Sequence, residues 1–245
     1  MEQSIPTPHA VPTGRGWSWI TRGFWHFKTD PLAWILMFLA LLGISVVLGL
    51  IPIIGGLANS LLWPLFAAGL MYGAREQDRG NKLHVEHLFA GFRENLEPLA
   101  IVGLLSLGGS ILIGIVILGM LLGSLLPMLQ MNLGALQTQD PATLLQVLGP
   151  GVLIGLLVGL LLFIPLSMAM LFSPALVLLD GMSPMEAIKQ SFLGSLKNML
   201  PLSVYGLVAL GLLLLGAIPL GLGLFVVWPI LTAAIYAAFR DIYIR

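Results

Sequence analysis

Three prolines, Pro64, Pro165 and Pro229, sit well inside long apolar runs. Each lacks a backbone donor and frees the carbonyl four residues back, on Ser60, Leu161 and Phe225. In lipid such a carbonyl needs a partner from a neighbouring helix, a hydroxyl or water. The functional reading is therefore three kinked helices around a wet cavity; the plainer reading is ordinary bends, since proline is common in membrane helices. Tyr205 and Tyr236, with Ser60 and Tyr72, would line such a cavity. Asp180 is the best-placed acid for a ligand, with a helix-end or turn role as its structural alternative. His84, Glu86 and His87 cluster as a metal site would, but two histidines with one carboxylate off their shared face are too few donors. Ser45, Ser106, Ser110, Ser167 and Ser203 lie where no neighbouring base is available to activate them. No catalytic, cofactor or metal residues are assigned, and the chain reads as a non-enzyme.

The elements that position these residues are read from composition. Of 245 residues, 58% are apolar and 9% charged, against about 25% charged in soluble domains. The formal net charge is zero, which gives no overall attraction to nucleic acid. With no cysteine, disulfides and thiolate chemistry are excluded. Residues 1–14, with Pro6, Pro8 and Pro12, read as a disordered cytoplasmic tail rather than a signal peptide.

From residue 15 to 245 the sequence predicts a single all-α membrane domain of six spans, at about 32–51, 57–73, 98–127, 151–172, 201–217 and 224–239. Twenty apolar residues at 1.5 Å each cross ~30 Å of hydrocarbon. Asp30-Pro31 supplies an N-cap and a first-turn proline for the first span. Trp17, Ile20, Phe24 and Phe27 predict an amphipathic helix before it. Val85, Leu88, Phe89, Phe92 and Leu96 predict another inside a polar loop from 75 to 97. Ser183-Pro184-Met185-Glu186 matches a capping box opening a third, with Ile188, Phe192 and Leu196 on its apolar side. Residues 128–149 form the sizeable far-side segment, where Asp140-Pro141 starts a short helix that Gly149-Pro150-Gly151 stops. The fourth span is expected to break at Pro165. Trp63 and Trp228, near mid-span, are expected to pack inside. Gly151, Gly155 and Gly159, with Gly119 and Gly123, allow close helix contact, within the chain more readily than between copies.

One stretch recurs. Phe89-Ala-Gly-Phe-Arg-Glu-Asn95-Leu-Glu-Pro98 and Phe192-Leu-Gly-Ser-Leu-Lys-Asn198-Met-Leu-Pro201 share their Phe, Gly, Asn and Pro. Each reads as a joint: an amphipathic helix closed by Asn95 or Asn198, with the Asn one place beyond the helix end, then a span opened by Pro98 or Pro201 at its first position. Gly49 to Leu57 resembles Gly216 to Leu224, and Trp63-Pro64 resembles Trp228-Pro229. The six spans thus read as three proline-punctuated hairpin repeats, each with a cytoplasmic interfacial helix.

All eleven cations fall on the side that holds both termini and the loops 75–97 and 173–200, while the far side holds only Asp140. The positive-inside rule then places both termini in the cytoplasm. Gly16-Trp17-Ser-Trp19-Ile20, Phe172-Ser-Pro174 through Asp180, and Trp228-Pro229 with Phe239-Arg240-Asp241 resemble an uncharacterised bacterial inner-membrane family, over about Gly16 to Tyr243. More distantly the chain is similar to YciC-type proteins and to the membrane region of some glycerophosphodiester phosphodiesterases, whose chemistry lies in a soluble domain absent from these residues. The resemblance implies no activity and no catalytic residues. Two functions follow: a non-enzymatic accessory or scaffold protein whose partners are the bilayer and other membrane proteins, or a small-solute transporter or lipid-handling protein without intramembrane charge.

Overall fold

The structure, a computed structural model, describes residues 7–130 and 141–244; the predicted Asp140 cap lies outside them. The described residues are helical, with these elements in order. Helix α1 is Arg15–Thr29, α2 Pro31–Gly49 and α3 Ile54–Asp78. A 3₁₀ turn, Val85–Phe89, leads into α4, Ala90–Glu94, and then α5, Leu96–Gln130. There follow α6 (Pro141–Leu171), α7 (Ser173–Asp180), α8 (Pro184–Lys197), α9 (Met199–Ala217) and α10 (Leu224–Tyr243). Among the described residues six stretches are long and apolar enough to cross a membrane: Pro31–Gly49, Ile54–Asp78, Leu96–Gly123, Gly151–Asp180, Met199–Ala217 and Leu224–Tyr243.

The chain divides into two compact units, Met1–Leu105 with Met168–Arg245, and Ser106–Ser167. In the second, α5 and α6 meet through glycine. The side chain of Ile117 lies against Gly159, that of Leu166 against Gly109, and Met120 beside Gly155. Helix α6 differs from expectation twice. It runs without interruption through Gly149-Pro150-Gly151, and again through Pro165, which is exposed. A proline forfeits one hydrogen bond, but ending the helix would leave several backbone groups unpaired, which lipid penalises more. The break comes instead at Phe172, just before Pro174.

In the first unit, α1 packs along α10 and α9. Its contact face is Gly16, Trp19, Ile20, Gly23, His26 and Phe27. A side chain at Gly16 would meet the Pro201 carbonyl, and one at Gly23 the Ile230 carbonyl. Glycine there lets the helix axes approach. The predicted stripe is therefore split: Ile20 and Phe27 are buried, whereas Trp17 and Phe24 point away from the core. Helix α8 is likewise split, with Ile188 packed on the core and Phe192 half-buried. It buries Ala187, Gln190, Ser191, Gly194 and Ser195 and leaves Met185 and Leu196 exposed. The capping box does not form. Ser183 makes no side-chain cap bond, and the Glu186 carboxylate accepts from Gln190 at 2.6 Å.

The core lies where α1, α2, α3, α7 and α10 converge, around Trp19, Trp34, Leu70, Leu176 and Phe239. Phe66 of α3 meets Phe89 edge-on and packs against Phe92, and Leu88 is fully buried against Gly69. Pro64 and Pro229 are buried inside α3 and α10. Trp228 packs on Phe38 with centroids 4.9 Å apart. Trp63, expected inside, is 48% exposed. Its position on α3 falls opposite the face that Pro64, Leu65 and Ala68 turn to the core.

Candidate functional site

Helix α3 continues to Asp78, so the residues that the sequence places in a polar loop are drawn into the protein. Asp78 lies beneath α1 and α10 and gathers three cationic or titratable groups. Its Oδ1 accepts from Arg22 Nη2 at 3.1 Å and lies 3.5 Å from His26 Nε2; Arg240 Nη1 donates to its Oδ2 at 2.5 Å. Behind it, Gln77 Oε1 accepts from the Trp34 indole at 3.1 Å and faces His26 Nδ1 at 3.1 Å, while Gln77 Nε2 donates to the His26 carbonyl. The Tyr236 ring meets the His26 ring edge-on at 5.8 Å. His26 is wholly buried, and its Nε2 has no hydrogen-bond partner. Burial pushes its pKa below the ordinary histidine range. The Asp78 charge and the Gln77 bond oppose that shift, and Arg22 and Arg240 add to it. The imidazole is accordingly neutral at pH 7.

A second carboxylate pins the start of α1. Arg15 forks onto Asp241, with Nε to Oδ2 at 2.7 Å and Nη2 to Oδ1 at 2.5 Å, and the Trp19 indole donates to Oδ2 at 2.7 Å. Between these two ion clusters lies an open groove of about 330 Å³, lined by Arg15, Ser18, Thr21, Arg22 and Trp25 of α1 and by Arg240 and Asp241 of α10. None of this is visible in the sequence alone. His26 and Asp78 are 52 residues apart in sequence, and only the packing of α1 across α3 and α10 joins them.

The residues singled out from the sequence are distributed as follows. The Asp30 carboxylate accepts the Ala33 N–H at 3.3 Å, with Pro31 the first residue of α2. Asn95 and Asn198 are each a single-residue break between two helices, so the helix beyond starts at the next residue and Pro98 and Pro201 occupy its third position, not its first. A proline is still harmless there, because the third N–H of a helix has no intrahelical acceptor. Asn198 is fully buried. Its amide donates to the carbonyls of His9 and Gly194 and accepts from the Val11 N–H, all at 2.9 Å. Those bonds correct the expectation of a disordered tail for the described part of residues 1–14. His9 N–H also donates to the Ile242 carbonyl and Lys197 to the Pro8 carbonyl, so the segment straps the α8–α9 joint to the end of α10.

Tyr205 donates to the Leu231 carbonyl at 3.0 Å, linking α9 to α10. The void beside it, lined by Leu171, Phe172 and Leu202, is about 10 Å³, no larger than a single water needs. Asp180 ends α7, before Gly181 in the left-handed conformation (φ 67°). Its Oδ2 is buried without a hydrogen-bond partner, and the Arg75 charge acts on it. Tyr205 and Tyr236 thus serve separate contacts, and Asp180 stands at the end of α7. At the α6–α7 break, Ser191 accepts the Phe172 N–H at 3.0 Å and donates to the Met168 carbonyl at 2.8 Å, and Ser195 donates to the same carbonyl. The His87 ring accepts the His84 N–H at 3.3 Å and so caps the 3₁₀ turn.

Fold and site together define a multi-pass, all-helical membrane protein whose polar groups collect at one end of α3 and α10. The chain is similar to a "probable inner membrane protein" of Burkholderia thailandensis, 29% identical over 250 residues that cover 95% of this chain and 91% of the relative. That likeness supports an inner-membrane protein and does not extend to YciC-type proteins or to the phosphodiesterase membrane regions. No protein-family model and no solved structure matches the chain.

Proposed function

We propose that the protein is a non-enzymatic accessory or scaffold protein of the bacterial inner membrane, with both termini in the cytoplasm. The observation that carries this reading is the set of apolar side chains that its amphipathic helices leave outside. Helix α1 buries Trp19, Ile20 and Phe27 between its glycines and α8 buries Gln190, Ser191 and Gly194, yet Trp17, Phe24, Trp25, Met185 and Leu196 stay outward. A helix with aromatic and aliphatic side chains on its free face and cations beside them lies in the headgroup layer, where it meets lipid or another membrane protein. The arrangement as three hairpin repeats is supported by matched local geometry. Asn95 and Asn198 break their helices alike, and the residues after Pro52 and Pro219, Ile53 and Leu220, both take positive φ (63° and 53°).

Orientation and partners are tested together. Single cysteines at positions 84 and 197, placed in a chain that has none, should resist membrane-impermeant maleimide in intact cells and react after lysis. Labelling of position 84 in intact cells would invert the topology. Mild-detergent purification followed by native mass spectrometry should retain a protein partner that Met185→Glu with Leu196→Glu releases. Retention that is indifferent to that pair would remove α8 as the docking face.

A further inference from the structure

The groove between α1 and α10 is positively charged in a way that the ion pairs do not exhaust. Three guanidinium groups, Arg15, Arg22 and Arg240, line it, and two carboxylates oppose them. Asp241 is taken by Arg15 and the Trp19 indole, and Asp78 is shared between Arg22 and Arg240. The cluster therefore carries one excess positive charge, with His26 neutral behind it. An arginine has five N–H donors in a planar fork. Arg22 and Arg240 each give one to Asp78 in a direct hydrogen bond, so most of both forks remains available at the groove. Their side chains stay 43% and 35% exposed, and the Ser18 hydroxyl lies on the same wall.

Charge, donor geometry and place narrow the occupant. Guanidinium forks match the oxygens of phosphate and carboxylate, and the volume sits at the small end of ligand pockets. Trp25 closes one side with Arg22 over its ring at 5.1 Å, and Trp17 and Phe24 are exposed on the same helix. Such an aromatic belt marks the level of the headgroups. We propose that this groove binds a phosphate oxyanion, with Arg22 and Arg240 as the donors to its oxygens. Asp78 holds the two forks side by side, and its own charge is spent on them. Phosphate of this kind reaches the groove either as the phosphodiester of an anionic lipid or as a free anion, and the two are separable.

The test uses full-length protein in phosphatidylcholine nanodiscs, with bound lipid read by native mass spectrometry and Trp fluorescence as a second signal. Phosphatidylglycerol doped into the discs should be retained over phosphatidylcholine. Arg22→Gln should cut that retention about tenfold, the order of one charge-assisted contact. Lys28→Gln, which removes a cation from α1 outside the groove, should leave it unchanged. Inorganic phosphate added to discs of phosphatidylcholine alone is the second probe. Binding of it with the same Arg22 dependence, and no preference for phosphatidylglycerol, assigns the site to a free anion. Equal losses in Arg22→Gln and Lys28→Gln would mean general surface attraction and overturn the site, as would the absence of binding by both probes. Arg22→Lys keeps the pair with Asp78 and loses the fork; folded by its thermal melt, it should bind more weakly than wild type, and undiminished binding would overturn the proposal.

Discussion

Asn95 and Asn198 occupy the same place in two copies of one local sequence, yet they hold very different amounts of structure. Both interrupt a helix for one residue, and both lend their carbonyl to the residue four ahead, Leu99 and Leu202. Asn198 is fully buried and uses both amide donors and its acceptor, two of these three bonds reaching the N-terminal segment. Asn95 is half-buried and makes one long contact, from its amide to the Val177 carbonyl at 3.5 Å. The local break belongs to the sequence; its value to the fold comes from what the rest of the chain brings to it.

The sharpest test of that contrast is Asn198→Ala. It removes three bonds and leaves the Val11 N–H and the His9 carbonyl short of a partner, the Gly194 carbonyl keeping the residue 198 N–H; at ~1 kcal/mol per lost bond it should cost about 3 kcal/mol, read by denaturant unfolding in detergent micelles. It should also expose residues 7–13 to proteolysis, whereas Asn95→Ala should change neither reading by more than about 0.5 kcal/mol. Equal costs would erase the distinction between the joints. Next in size are the paired glycines Gly91 and Gly194, where an added methyl would meet the Leu65 carbonyl at 2.6 Å or the Tyr243 hydroxyl at 2.1 Å. Gly91→Ala, crowded by backbone, should destabilise by roughly 2 kcal/mol. Gly194→Ala should cost a similar amount, because the Tyr243 side chain is buried and its hydroxyl donates to the Gln190 carbonyl at 2.8 Å.

Ser191→Ala, which orphans the Phe172 N–H beside the second joint, should cost about 1 kcal/mol in the same assay. The last prediction separates the joints from the polar layer by pH. The pKa of His26 is lowered on folding, so below about 6.5, its ordinary value, the unfolded chain binds the proton more readily than the folded one. Stability should therefore fall as pH drops from 7 toward 5. The penalty of Asn198→Ala should stay constant over that range, since its lost bonds are to backbone groups.

The spans were legible because each is a run of apolar residues long enough for a bilayer, a signal that needs no knowledge of neighbours. Asp30-Pro31 was legible for the same reason: a cap and a first-turn proline act within four residues. The helix faces were not. Trp17 and Phe24 share a period with Ile20 and Phe27, and periodicity cannot say which of two apolar faces meets protein and which meets lipid. On α8 Ser191, Gly194 and Ser195 are the buried residues, while Phe192 is half-buried and Leu196 is exposed. Pro165 and Pro150 failed as breakers because losing one hydrogen bond is cheaper in lipid than ending a helix. Phe172 succeeded because Ser191, 19 residues on, is there to accept its N–H.

By itself, then, the sequence determined six stretches long and apolar enough to cross a membrane, the joints at Asn95 and Asn198, and the grouping of charge away from the middle of those stretches. Those are consequences of hydration and of hydrogen bonding between near neighbours. Only the tertiary structure decided that Asp78 collects Arg22, His26 and Arg240, that Asn198 is a clamp while Asn95 is a bend, and that an arginine-lined groove lies between α1 and α10. Each of these depends on long-range packing, and glycine at Gly16 and Gly23 is what lets α1 lie close enough to bring it about.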